Sequence, residues 1–101
     1  GYYLGRMYVE PHESERPVMQ DNEFERVSLN VYDEEKPLVM KIGTRHLVVD
    51  GDEGVPSGTL GVPEEVAGSL RLRNPPSVRD ILLAKEGHAT RILSLRGVET
   101  N

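Results

Sequence analysis

A chain of 101 residues without cysteine has room for one domain, 1–101, and excludes disulfides, thiolate metal sites, iron–sulfur clusters and cysteine nucleophiles. Seventeen acidic against twelve basic side chains give a net charge of −5. No run of eighteen apolar residues and no charged-then-apolar leader occur, so neither a membrane span nor a signal peptide is expected, and a cytoplasmic location is.

A chain this short removes roughly 60–70% of its unfolded surface from water, which supports one thin core and leaves little room for a deep catalytic cleft. Val supplies twelve of the apolar residues, beside one Phe and no Trp. That β-branched mass suits a sheet with a helix laid on it.

In chain order, residues 2–10 are rich in aromatic and β-branched types and read as a strand ending at Pro11. Residues 11–17 hold two prolines and no apolar side chain, the composition of a solvated loop. The stretch 21–32 carries two patterns. Phe24, Val27 and Val31 repeat as on a helix with Asp21 as its cap, whereas Val27, Leu29 and Val31 alternate as in a strand. The acidic first turn favours the helix.

Pro37–Ile42 and Arg45–Asp50 flank Gly43-Thr44, and Gly at the first turn position fits a type II′ hairpin. A two-residue loop fixes the pairing as Ile42 with Arg45, Lys41 with His46, Met40 with Leu47, Val39 with Val48 and Leu38 with Val49. Leu38, Met40, Ile42, Leu47 and Val49 then share the core face. Residues 50–58 form a turn-rich loop, Thr59–Val62 a short strand, and Pro63 opens a short helix to about Leu70.

Asn74-Pro75-Pro76 enforces an extended entry into a last helix from Ser77 to about Leu95. Ser77 and Asp80 form its cap, Val78, Ile81, Leu82, Ala89, Ile92 and Leu93 its apolar side, and Gly87 its weak point. Lys85 falls in the middle of that stripe, which means that it snorkels to a carboxylate or meets a partner. The predicted fold class is α+β: a small, mainly antiparallel sheet with the C-terminal helix packed on one face.

Little in the sequence points to chemistry. His12, His46 and His88 are 34 and 42 residues apart, lack the spacing of a helical metal site, and His46 faces Lys41 in the hairpin register. Asp50-Gly51-Asp52-Glu53-Gly54 lacks the later ligands of a calcium loop and reads as a hydrated turn. Glu64 and Glu65 suit the positive end of a helix. Ser, His and Asp are all present, so spacing leaves a catalytic triad open. Neither a Gly-x-Ser-x-Gly elbow nor a phosphate-cradling glycine loop occurs. No cofactor or metal is expected, and a small hydrolase or metal-dependent enzyme is the remote alternative.

Charge is the stronger signal. From Gly68 onward six basic side chains face three acidic ones, while residues 1–67 carry six basic and fourteen acidic ones. Arg71 and Arg73 alternate around Leu72, and with Arg79 and Lys85 they form a candidate surface for a partner's carboxylates or phosphates. The expected function is a non-enzymatic accessory protein docking on a larger protein or ribonucleoprotein assembly. An RNA contact by the same arginines is the alternative.

Nine Arg against three Lys in an acidic chain suit a salt-rich cytosol. The segments Gly1–Pro11, Pro37–Lys41, Thr59–Pro63, Arg73–Pro76 and Leu82–Lys85 together resemble a family of short haloarchaeal proteins of unknown function. The resemblance spans nearly the whole chain. It implies a salt-adapted cytoplasmic protein and brings no catalytic residues with it.

Overall fold

The computed structural model describes residues 2–72 and 77–96. Six strands and three helices follow in the order β1 (Tyr2–Pro11), β2 (Val18–Gln20), α1 (Asp21–Tyr32), β3 (Leu38–Ile42), β4 (Arg45–Asp52), β5 (Thr59–Val62), α2 (Glu64–Ser69), β6 (Ser77–Leu83) and α3 (Glu86–Leu95). The strands close into a barrel in the order β1-β5-β2-β4-β3-β6, with β6 returning to β1. Pairing is mixed: β1 with β5 and β2 with β4 run parallel, and the remaining four pairs are antiparallel. Among the described residues, every strand has a partner on both sides, although the register of β6 with β3 covers only Leu82 and Leu83.

This architecture overturns the expected small antiparallel sheet under one C-terminal helix. The largest error lies at Ser77–Leu83, a strand rather than the first half of a helix. Ile81 and Leu83 are buried, while Val78, Asp80 and Leu82 are exposed, so the segment has a two-residue period. Val78, Ile81 and Leu82 also fit a helical face, and pairing with β1 and β3 decides between the two. Ser77 therefore opens a strand instead of capping a helix. Lys85 lies at the N-cap of α3, exposed, rather than inside an apolar stripe. The Asn74–Pro76 entry lies outside the described residues.

Other elements match their sequence patterns. β1, α1 and β5 form where expected, and every pair of the β3–β4 hairpin has the derived register. Gly43 takes φ 60 at the first turn position, as a type II′ turn requires. α1 buries Phe24, Val27, Ser28 and Tyr32 on one face, and its cap is Gln20, whose Oε1 accepts from the Glu23 N–H at 2.9 Å. β4 runs on to Asp52, into the stretch expected as loop.

Leu38, Met40, Leu60, Ile81, Leu83 and Leu93 are the largest fully buried apolar side chains. Each contributes about 1.5–3 kcal/mol of burial. α1 lies against β4 and β2, and α3 lies against β3, burying Ala89 and Leu93. Val39, on the outward side of its strand beside Lys41, is buried in consequence.

Candidate functional site

The outer face of β1 and β6 carries exposed apolar side chains in cross-strand pairs. Tyr3 is opposite Leu82 and Tyr8 opposite Val78. Tyr3, Tyr8 and Val78 are each just over half exposed, and Leu82 is 37% exposed. Between these pairs Arg6 faces Asp80, with Nε 3.6 Å from Oδ1. The Tyr3 hydroxyl donates to the same Asp80 Oδ1 at 2.9 Å. That hydrogen bond, with smaller contributions from desolvation and the Asp80 charge, raises the Tyr3 phenol above the ordinary tyrosine range. A fixed carboxylate thus orients an aromatic ring and a guanidinium beside exposed apolar side chains.

Across the barrel this face continues in register. Leu82 lies opposite Lys41 on β3, and Lys41 lies opposite His46 on β4. The His88 ring, from α3, meets His46 edge to face with centroids 5.5 Å apart. Lys41, His46, Leu82, Leu83, Ala84 and His88 line a hollow of about 230 Å³. Burial, then the electrostatic influence of His88, Lys41 and Arg96, holds the His46 imidazole below the ordinary histidine range. Arg96 donates from Nη2 to the His46 carbonyl oxygen at 3.1 Å and ties the end of α3 to β4.

A larger cleft of about 420 Å³ also borders His46. Arg45 and Arg96 line it together with Glu15 and Glu65, and Arg16 is ion-paired with Asp50. Its charges offset one another.

Among the described residues, the sequence-predicted basic side chains are not all free. Arg79 donates from Nη2 to the Leu70 carbonyl oxygen at 2.9 Å, a contact that anchors the end of α2 to β6. Arg71 is exposed at φ 55, just beyond α2. Lys85 is exposed at the start of α3, and Arg73 lies outside the described residues. The aromatic pairs on β1 and β6 were missed because half of them sit in a segment with a helical pattern. Two-residue alternation in Val78, Asp80 and Leu82 was the available signal.

Among the described residues no three His, Asp or Glu side chains gather to hold a metal ion. The Ser14, Ser28 and Ser69 hydroxyls donate to backbone carbonyls rather than to a histidine. The Asp52 carboxylate accepts from the Gly54 N–H at 2.7 Å, closing the turn after β4. No described helix is long and apolar enough to cross a membrane.

The model of a family of unknown function, DUF5802, matches residues 1–99. The chain belongs to that family. A search of curated proteins finds no match. Membership of DUF5802 agrees with the coarser part of the resemblance read from the sequence, a family of unknown function over nearly the whole chain, and brings no activity with it.

Proposed function

We propose that this DUF5802 chain is a non-enzymatic interaction protein of a salt-rich haloarchaeal cytosol, docking on a larger protein assembly by the outer face of β1 and β6. The carrying observation is the pairing of exposed Tyr3 with Leu82 and Tyr8 with Val78 on a face that leaves them in water. Aromatic rings with a polar tip, held at low entropic cost on a rigid barrel, are the side chains from which protein interfaces draw most energy. Arg6 and Asp80 neutralise each other at its centre. A protein surface suits such a face better than RNA, whose phosphates need unpaired cations. The acidic, arginine-over-lysine composition supports the salt-rich setting.

The test is photocrosslinking from position 8 in a high-salt lysate, alongside co-purification with the double variant Tyr8→Glu/Val78→Glu. A defined protein crosslinked at position 8 and lost in the double variant, with nuclease treatment having no effect, is the expected result. Retention by the double variant overturns the reading. Loss on nuclease treatment transfers binding to RNA and to Arg71.

A further inference from the structure

We infer that the hollow between Lys41, His46 and His88 is a binding site for a small tetrahedral oxyanion of the phosphate or sulfate type. Three cationic or protonatable side chains from three elements converge there: Lys41 from β3, His46 from β4 and His88 from α3. None of the six lining residues is acidic. Neither Lys41 nor His88 is ion-paired to a carboxylate among the described residues. In a chain with seventeen acids and twelve bases, an uncompensated group of this kind is a local exception.

Other charges also lie near His46. Arg96 holds its backbone carbonyl, and Arg45, Arg16, Glu15 and Glu65 line the larger cleft beside it. Of these, Arg96 reaches the imidazole electrostatically, and so do His88 and Lys41, and each disfavours a positive charge on it. A metal cation would meet that repulsion, although two imidazoles are near each other. An anion relieves it, taking hydrogen bonds from the ammonium and from both protonated rings. At about 230 Å³ the hollow falls below the 300 Å³ or so where pockets for whole organic ligands begin. It fits one anionic group, with Leu82, Leu83 and Ala84 as the apolar wall.

Binding is coupled to protonation. An anion that favours charged His46 and His88 raises their proton affinity, and by linkage its own affinity rises as pH falls, up to about tenfold per pH unit for each coupled proton. This site shares Leu82 with the proposed docking face, but its test needs no partner.

The experiment follows the imidazole C–H resonances of His46 and His88 by NMR, titrating sulfate at fixed ionic strength against chloride. Sulfate does not itself titrate near neutrality, so the proton linkage reads the protein alone. Expected are a saturable response of both rings, an upward shift in the His46 pKa with sulfate, and tighter binding at lower pH. Lys41 is exposed, so Lys41→Gln keeps the fold and weakens sulfate binding at least severalfold. His88→Gln removes the upward shift at His46. Inorganic phosphate, compared at one fixed pH, gives the same saturable response of both rings. A response that does not saturate, or one unchanged by Lys41→Gln, overturns the site. Binding only of an oligonucleotide, with steep salt dependence and no response to sulfate, overturns it in favour of an RNA contact.

Discussion

The Phe24 ring lies directly on the backbone of Gly51, so close that a Cβ at position 51 would come within 2.9 Å of the ring. This contact seats α1 on β4, one of the two strands that it packs against. Gly51→Ala must displace Phe24 from its buried position, and overpacking of this kind costs about 1–3 kcal/mol. Phe24→Ala costs more, about 3–5 kcal/mol, because the cavity it leaves is under the helix. Placing Phe24→Ala on the Gly51→Ala background should make the two losses less than additive, since the ring that clashes is gone. Urea denaturation of the four proteins measures both effects.

The end of α1 offers a gain instead of a loss. Asp33 follows the helix at φ 64, with its N–H donating to the Leu29 carbonyl oxygen at 2.9 Å. This left-handed position is one that Gly adopts without the Cβ penalty. Asp33→Gly should stabilise by about 0.5–1 kcal/mol, a few degrees in Tm. Asp33→Ala keeps the steric penalty without the side-chain polar group and should destabilise.

Tyr3 gives a prediction at alkaline pH. Its hydrogen bond to Asp80 requires the neutral phenol, so the folded-state pKa is raised. The sign follows: the small stability from this exposed bond is present below the unfolded-state pKa and is lost as pH rises through the folded one. Tyrosinate absorbance should show a late-titrating ring that disappears in Tyr3→Phe. In Asp80→Asn the ring should titrate at lower pH, because the amide lacks the carboxylate charge.

How much of this was legible differs from element to element. The β3–β4 hairpin was readable to the residue because a two-residue turn leaves one register, and alternation on both strands agreed with it. α1 was readable because its acidic first turn outweighed the alternation of Leu29 and Val31. β2 was not, since Val18–Gln20 is too short to show any period, yet it joins β4 to β5 and completes the ring. β6 was misread because seven residues fit both periods, and only its non-local partners on β1 and β3 select the strand. The site followed the same division. Lys41 facing His46 came directly from the hairpin register. The approach of His88 depends on how α3 folds back on the barrel, and across a separation of 42 residues the chain carries no local signal of that.

His46 makes the acid side of the stability curve the most informative measurement. Burial, then His88, Lys41 and Arg96, depress its folded-state pKa below the unfolded one. The unfolded chain therefore binds the proton more readily in the window between the two values, and stability decreases there as pH is lowered. His46 contributes its full share above about pH 6.5, the ordinary histidine value, and loses it as pH drops through the depressed one. Because His46 and His88 join β4 to α3, the loss should appear first as loosening of α3, visible as faster amide exchange at Ala89 and Leu93 than in the β3–β4 hairpin. His46→Gln cannot protonate, so its unfolding midpoint should fall less than that of the wild type between about pH 7.5 and 5.5, once the carboxylates common to both are subtracted. Lys41→Gln removes one of the repelling charges and should lie between the two. An identical acid slope in all three proteins would show that the cationic seam between β4 and α3 has no influence on the fold.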